Sequence, residues 1–292
     1  MFPAQKSLNG SVLKKASLIV FGVCLAALTF YLGKTYLANR PLVYHGSSVN
    51  AAVEERNDRW WKDARLEVQQ RRRPGYIAHT PVFYHGDPAL KEVALTFDDG
   101  PHPGKVQKLL AILRQLDLKA TFFVVGKMAE KHPELVRMEA AAGNEIADHS
   151  FSHVNLSKLP ADEVEIEYLA CKNLIQRITG KAPRFCRPPG GRATEAVVEG
   201  AEKCGLITTM WSDDPKDYSN PGSDQIESDL LDHVTNGGIL LLHEGVEETM
   251  QVLPDIVRTL RASGFKMVTV SQLMEDSVRT FSSPHRAQRA SL

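Results

Sequence analysis

The chain has no excess of charge of either sign, because 35 lysines and arginines balance 35 aspartates and glutamates. This balance gives no support for nucleic acid as a partner, since nucleic-acid-binding domains concentrate positive charge on one face. The sequence also lacks internal repeats at solenoid spacing, which argues against a repeat architecture. Its hydrophobic share of 43% and charged share of 24% are typical of an ordinary globular domain.

Cysteine is scarce, and its spacing excludes one common kind of metal site. The four cysteines are Cys24, Cys171, Cys186 and Cys204, and no two of them form a C-x-x-C pair. Cys171, Cys186 and Cys204 are enough for one disulfide in an exported domain, but the sequence does not select a pair. We therefore predict that Cys171, Cys186 and Cys204 are small buried thiols.

Long apolar runs are missing too, apart from one near the N-terminus. Residues 16–33 carry no charged side chain and lie between Lys15 and Lys34. Their length approaches the roughly 17–25 residues of a membrane-spanning helix. We predict a single-pass anchor with residues 1–15 in the cytoplasm and the remaining chain outside the cell membrane. A signal peptide cleaved after Ala26, giving a secreted protein, is the alternative, but the apolar run continues past Ala26 to a spanning length.

Two segments that flank the main part of the chain are predicted to be polar extensions. Residues 34–80 are predicted to form a stalk or linker, in which Trp60 and Trp61 interrupt a dense series of charges that Pro74 ends. We interpret its charged part as a helical spacer surrounded by solvent. A globular domain follows at 81–275, and residues 276–292 are predicted to be a polar tail with little order.

Within 81–275, short apolar runs alternate with longer amphipathic segments. The predicted strands are 93–97, 120–125, 144–147, 184–186, 207–211, 238–242 and 266–270, and the clearest helices are 105–116, 162–179 and 252–263. Strands that alternate with helices predict parallel βαβ units. The fold class is therefore α/β, either an incomplete (β/α) barrel of seven strands or an open doubly wound sheet.

Polar residues follow five of these strands. In chain order they are Asp98 and Asp99, His149 and His153, Arg187, then Asp213, Asp214 and Asp217, and finally His243. The carboxyl ends of parallel strands share one face of an α/β domain, and active sites are built there. These side chains, far apart in sequence, are predicted to converge.

The first two groups have the composition of a metal site. Asp98 and Asp99 precede a Gly-Pro turn, so their side chains must diverge, and one can bind metal while the other handles protons. His149 and His153 are four residues apart, which predicts that both imidazoles lie on one side of a helical turn and chelate one ion. Two imidazoles and one carboxylate leave positions open for water and substrate. Taken alone, each motif is typical of a turn or a structural pair, and convergence on one rim favours metal binding.

The later groups are candidates for proton transfer and charge stabilisation. His243 ends a buried apolar run, where it is either a core residue or a general acid. Arg187 is followed by Pro188 and Pro189, which carry no N–H, so Gly190 is the first residue after it whose amide can serve an oxyanion. An ordinary proline-glycine loop is the alternative for this segment.

Six segments resemble, in order, the motifs of the polysaccharide deacetylase family, also called carbohydrate esterase family 4. They are 95–101, 120–126, the His149 and His153 pair, 185–191, 211–218 and 238–243. The resemblance covers 93–273, and six ordered matches are more specific than any single one. It implies a distorted (β/α) barrel of seven or eight strands.

The resemblance also implies a role for each candidate. Asp98 would be the general base, and a divalent metal would be bound, commonly Zn²⁺, with Co²⁺ or Ni²⁺ as other candidates. The implied metal ligands are Asp99, His149 and His153.

The remaining roles come from the same resemblance. His243 would be the general acid, paired with Asp217, for which Asp213 and Asp214 are alternatives. Arg187 would orient Asp98. The oxyanion and acetyl pocket would be formed by Gly190, Trp211 and Leu241.

The implied activity is the hydrolysis of N-acetyl groups on a polysaccharide that contains N-acetylglucosamine, with release of acetate. Peptidoglycan, chitin-like chains and exopolysaccharide are the candidate substrates. A catalytically silent glycan-binding module and a metal amidase for small non-sugar amides are the alternatives. Gly190 and Tyr218 stand where the family often has tyrosine and tryptophan, which affects the expected substrate preference more than the chemistry.

Overall fold

The computed structural model describes residues 59–71 and 82–281. The strands are β1 (Glu92–Gly100), β2 (Thr121–Val124), β3 (Glu145–Asp148), β4 (Phe185–Cys186), β5 (Ile207–Thr208), β6 (Gly238–His243) and β7 (Lys266–Val268). The helices are α1 (Arg59–Arg71), α2 (Val106–Gln115), α3 (Gly126–Lys131), α4 (Pro133–Ala141), α5 (Ala161–Thr179), α6 (Glu195–Lys203), α7 (Ser223–His233), α8 (Glu247–Ala262) and α9 (Val270–Phe281). The predicted anchor at 16–33 lies outside the described residues, and no described helix is long and apolar enough to cross a membrane.

All seven predicted strands are present, with ends that differ from the prediction by at most three residues. Every pairing between them is parallel, and the order across the sheet is β5-β4-β3-β2-β1-β6, with β7 paired to the start of β1. The α/β class is therefore confirmed. The carboxyl ends of all these strands point the same way, as the convergence argument requires.

The sheet curls back on itself through an irregular segment after β5. Asp213 pairs in parallel with Leu240 of β6. The amide of Leu241 donates to the carbonyl oxygen of Asp213 at 2.9 Å, and the amide of Ser212 donates to that of Ile239 at 3.0 Å. A short bridge, where an eighth strand would lie in a complete barrel, favours the incomplete (β/α) barrel over the open doubly wound sheet.

Alternation along the strands produces two apolar layers. In β1, Ala94 faces the inside of the curled sheet, whereas Val93 and Leu95 face the surrounding helices. The inner layer contains Ala94, Phe123, Ala147, Phe185, Ile239, Val268, Val270 and Leu273. The outer layer packs against helices such as α2, whose Val106, Leu109 and Leu113 are buried at helical spacing. The inside of the sheet is thus apolar at one end, which leaves the other end for polar groups.

Helix α1 corrects the prediction of a solvated spacer. The predicted helix forms, but its Trp61, Ala64 and Val68 are at most 4% exposed and belong to the outer apolar layer. These positions fall on one face, at i, i+3 and i+7, and that face packs along α5. The charged residues of α1 lie on its remaining faces. Because they outnumber the three apolar positions, the composition of the segment indicated a solvated spacer.

Helix α9 corrects the predicted tail. Order continues to Phe281, six residues beyond the predicted boundary at 275. Leu273 lies in the inner layer, and the hydroxyl of the buried Ser277 accepts a hydrogen bond from the amide of Asp87 at 2.7 Å. One face of α9 covers the apolar end of the curled sheet, and the polar residues that suggested a tail lie on its other faces. The three described cysteines, Cys171, Cys186 and Cys204, are buried thiols, as predicted.

Candidate active site

The candidate residues gather at the carboxyl ends of the strands. Asp98 and His243 lie opposite each other in the register between β1 and β6. Asp148, which immediately precedes His149, lies opposite Cys186, which immediately precedes Arg187. The sheet register therefore brings four of the predicted residues to one rim, although up to 145 positions separate them in the sequence.

Asp99, His149 and His153 form the cluster that was predicted to bind metal. One Asp99 carboxylate oxygen lies 3.3 Å from Nε2 of His149 and 2.9 Å from Nε2 of His153. One donor atom from each side chain falls within 4.8 Å of the others, and no other such cluster of three exists in the described parts of the chain. A carboxylate and two imidazoles at this separation fit a divalent ion, and they are the donors that zinc takes in catalytic sites.

The two histidines do not lie on a helical turn, which corrects the geometric part of the prediction. Residues 149–153, which we call the metal loop, follow β3 as an irregular segment. Ser150 and His153 have φ angles of 62° and 57°, in the left-handed region that residues other than glycine seldom adopt. These reversals still bring the two imidazole rings to 5.0 Å. The loop thus achieves the convergence that a helix was predicted to provide.

Hydrogen bonding and charge prepare these ligands. Nδ1 of the buried His149 lies 2.8 Å from the carbonyl oxygen of Arg187, so this nitrogen carries the proton and Nε2 keeps its lone pair for a metal. Burial alone would raise the pKa of Asp99, but hydrogen bonds and charge from His149 and His153 hold it well below its usual value. Asp99 is therefore the ionised carboxylate that a metal site requires.

Asp98 forms a fully buried ion pair with Arg187. Nη1 of Arg187 donates to one Asp98 carboxylate oxygen at 2.7 Å and to the hydroxyl of Thr96 at 2.9 Å. The other guanidinium nitrogens donate to the carbonyl oxygens of Thr209 and Met210. With one oxygen occupied, the second Asp98 oxygen faces the metal cluster, 3.7 Å from Nε2 of His149. A charge buried this completely is stable only with such partners, and each guanidinium nitrogen of Arg187 has an acceptor.

His243 is paired with Asp217. Nδ1 of His243 lies 2.6 Å from one Asp217 oxygen, and the other oxygen accepts from the His243 amide and the Thr249 hydroxyl. Burial lowers the pKa of His243, but the hydrogen bond and charge of Asp217, with Asp98 and Asp99, raise it to about 9. His243 is therefore protonated at neutral pH, as a general acid must be.

The two alternative partners for His243 have other contacts. Asp213 accepts a hydrogen bond from the hydroxyl of Ser212 at 2.5 Å, and Asp214 accepts one from the amide of Lys216 at 2.8 Å. Neither contact involves the imidazole. The structure thus places Asp217, among the three aspartates, against His243.

The predicted pocket residues line the same rim. Leu241 is 4% exposed, and the half-buried Trp211 lies across Gly191, where an added Cβ would come within 2.4 Å of the indole. Gly190 is exposed at a φ of 65°, with open space where a side chain would project. Tyr218 is 54% exposed and its ring contacts His243 edge-on at 5.2 Å. Tyr218 and Gly190 are thus both exposed to solvent.

Glu244 is a buried site residue that the sequence analysis missed. One of its carboxylate oxygens accepts a hydrogen bond from the amide of His102 at 2.7 Å, and the other would lie 1.9 Å from a Cβ at Gly100. Burial raises the pKa of Glu244 to about 7, and burial together with the charge of Glu244 raises that of the adjacent Glu139. Glu244 follows His243 directly in the sequence, but only the fold shows that it supports the turn after Asp99.

Comparisons with known proteins agree with this geometry. The family model described as polysaccharide deacetylase matches residues 85–209. A peptidoglycan-N-acetylglucosamine deacetylase of Bacillus cereus is 35% identical over 189 residues, covering 63% of this chain and 88% of that protein. A chitooligosaccharide deacetylase of Bradyrhizobium is 35% identical over 198 residues, covering 63% of this chain and 90% of that protein.

A solved structure shares the fold. The wild-type carbohydrate esterase family 4 pseudoenzyme from Bacillus anthracis has a TM-score of 0.65 and 27% identity, covering 67% of this chain and 69% of that chain. Two relatives are thus named as deacetylases, whereas this neighbour is named as a pseudoenzyme. By the extent of its matches, the chain belongs to the polysaccharide deacetylase family.

Proposed function

We propose that this protein is a metal-dependent hydrolase that removes acetyl groups from a polysaccharide containing N-acetylglucosamine and releases acetate. One observation carries the proposal. The buried Asp98–Arg187 pair, the Asp99–His149–His153 cluster and the Asp217–His243 pair occupy a single rim. Together they supply a base, a metal site and an acid, which are the groups that hydrolysis of an amide requires.

The donor set supports a zinc ion held by Asp99, His149 and His153, with cobalt and nickel as ions that accept the same ligands. When bound, such an ion polarises a carbonyl and lowers the pKa of water to about 7. The carbonyl of Arg187 keeps the His149 ring turned toward that position.

The residues of the chain then divide the proton transfers. Asp98, held on one oxygen by Arg187, accepts a proton from the attacking water on its other oxygen while the water oxygen bonds to the acetyl carbon. The Gly190 amide donates to the carbonyl oxygen as negative charge develops. His243, kept protonated by Asp217, gives its proton to the departing nitrogen as the C–N bond breaks. The products are a free amine and acetate.

The aromatic and apolar side chains near His243 support a sugar polymer as the substrate class. Tyr218 is exposed beside His243, and we assign Trp211 and Leu241 to the pocket for the acetyl group. Relatives named for peptidoglycan and for chitooligosaccharide point to N-acetylated glycans of this kind.

We also propose that the protein acts on the outer face of the cell membrane. The support is the uncharged run 16–33 between Lys15 and Lys34, read as a single-pass anchor, with secretion after signal cleavage as the alternative. Fractionation of cells that carry a C-terminally tagged full chain would detect it in the membrane fraction and accessible to external protease. Detection only in the cytosol would contradict this location.

The activity is tested by incubating the zinc-loaded full chain with N-acetylglucosamine oligomers, peptidoglycan, an acetylated exopolysaccharide and small non-sugar acetamides. Release of acetate from a glycan is expected, with Asp98→Asn slower by about 10²–10⁴-fold because the base is lost. Asp214→Asn is the matched control, since Asp214 is an aspartate of the same rim that contacts Lys216.

Two results would count against the proposal. Binding of glycans without acetate release from any of them, by a zinc-loaded protein, would indicate the silent module that the pseudoenzyme neighbour makes relevant. Release from the small acetamides alone would indicate the amidase.

A further inference from the structure

Helix α1 is fastened to the domain by polar contacts as well as by its apolar stripe. Arg65 forms an ion pair with Glu163 of α5 at 2.5 Å, and Asn173 of α5 donates to Glu67 at 3.2 Å. The guanidinium of Arg177 stacks over the Trp60 ring at 4.6 Å. These contacts, which lie between Glu163 and Arg177 of α5, hold α1 in a defined place.

The apolar stripe of α1 reaches the metal loop. Trp61, 2% exposed, lies with its ring centroid 6.4 Å from that of Phe151, and the two planes are tilted by 49°. Phe151 is fully buried and stands midway between the ligands His149 and His153. Trp61 therefore forms one wall of the pocket that receives the central side chain of the metal loop.

The other walls of that pocket are rigid. The Phe151 amide donates to the carbonyl oxygen of Glu167 at 3.1 Å, and the Phe151 carbonyl oxygen accepts from the backbone amide of Lys127 at 2.7 Å. A Cβ at Gly126 would lie 2.5 Å from the Phe151 ring, so the first residue of α3 packs directly against it. Phe151 is thus packed on several sides. Trp61 of α1 is the contact that lies outside residues 85–209, the segment matched by the family model.

The metal loop needs this support because of its backbone. Ser150 and His153 flank Phe151 with left-handed φ angles, and such conformations persist only where the surroundings determine them. Phe151 is one of the groups that hold this backbone, together with the hydrogen bonds from the Ser150 amide to Asp148 and from the Ser152 amide to Glu167. Trp61 reaches the metal loop through its contact with Phe151.

We propose that Trp61 is a positioning residue for the metal site, and that α1 acts through Phe151 to hold His149 and His153 in their binding arrangement. This rests on the proposed metal-binding function. Residues that orient metal ligands typically change metal affinity by about 10–100-fold when altered. Trp61 is expected to act toward the lower end of that range, since it acts on the ligands through Phe151.

The test measures the dissociation constant for zinc by competition with a chromophoric chelator, using the full chain. Trp61→Ala is expected to weaken zinc binding about 10-fold. Trp60→Ala is the matched control, because Trp60 is a tryptophan of the same helix whose ring contacts Arg177. This variant should bind zinc within about 2-fold of the wild type. Trp61→Phe, which keeps an aromatic ring, should restore most of the affinity.

The possible results separate the two proposals. If the wild-type chain fails to bind zinc, the metal-binding function itself is wrong. If the wild type binds zinc and folded Trp61→Ala binds it equally well, Trp61 is only a core residue and the positioning role is overturned. Should Trp61→Ala fail to fold, Trp61→Leu, which fills much of the same volume without a ring, carries the same expectation.

Discussion

The imidazole of His243 is hydrogen-bonded to one buried carboxylate, that of Asp217. Asp217 is fully buried and uses both oxygens on His243 and Thr249, so its position is fixed independently of any substrate. The resulting pKa of about 9 for His243 keeps the imidazole charged through the neutral range. The pH profile of the enzyme is therefore a direct report on this pair.

Asp217→Asn is expected to move the alkaline limb of that profile. A general acid loses activity as pH rises through its pKa, so the wild type should decline near pH 9. Without the Asp217 charge the His243 pKa should fall, because burial lowers it and only Asp98 and Asp99 still raise it, and the limb should shift to lower pH by about one to three units. The profile of kcat/KM between pH 5 and 10 measures this.

Asp214→Asn serves as the control for that profile. Asp214 lies near enough for its charge to interact with His243 but hydrogen-bonds Lys216 instead. Its alkaline limb should move less than that of Asp217→Asn. Equal shifts in both variants would show that the hydrogen bond to Asp217 has no special role.

At this scale the sequence predicted which side chains would meet, but less about how. Strand ends predicted the convergence of Asp98, His149 and His243, because carboxyl ends of parallel strands share a face whatever the loops do. Glu244 could not be found this way. Its contact with the turn at Gly100 depends on two strands lying side by side, and no local pattern records that.

The turn after β4 is an element whose shape is set by its glycines. Gly190 and Gly191 have φ angles of 65° and 69°, in the left-handed region. At Gly191 a Cβ would also lie 2.4 Å from the Trp211 indole, whereas at Gly190 nothing lies within 4 Å. The two neighbours therefore separate backbone strain from side-chain crowding.

Gly191→Ala is expected to destabilise the fold by about 2–4 kcal/mol, the sum of left-handed strain and displacement of Trp211. Gly190→Ala, with the strain alone, should cost about 1–2 kcal/mol. Urea unfolding at one pH measures both. In a Trp211→Phe background, which replaces the indole with a smaller ring, the two alanine substitutions should lower the free energy of unfolding by the same amount. A persistent difference would contradict the assigned contact.

The elements that the sequence predicted least well are those decided by tertiary packing. The four-residue spacing of His149 and His153 predicted a helical turn, yet the structure uses a loop held by Phe151 in its pocket. The apolar positions of α1 are only three, and charges surround them, so the segment had the composition of a spacer. In both cases the deciding contact joins residues about ninety positions apart in the sequence.

For the whole molecule, the barrel and the proposed metal site are linked because the candidate ligands follow different strands. Asp99 ends β1, whereas His149 and His153 follow β3, with β2 between them. An ion bound by all three therefore ties together segments that unfolding would separate. An ion that binds the folded chain and not the unfolded one would add its binding free energy to stability.

Zinc at about 100 times its dissociation constant should stabilise the wild type by about 2.7 kcal/mol, because stabilisation grows with the logarithm of ligand excess. For a domain of about 200 residues this corresponds to a rise in Tm of roughly 5–10 °C, reversed by a chelator. Scanning calorimetry with and without zinc measures the shift. His153→Ala should lose most of it because a ligand is gone, whereas His243→Ala should keep it because the acid does not bind the ion. The shift should shrink as pH falls, since Asp99 raises the pKa of His153 against the effect of burial and protons then compete with the metal for that ring. A zinc shift that survives in His153→Ala would place the ion elsewhere in the molecule.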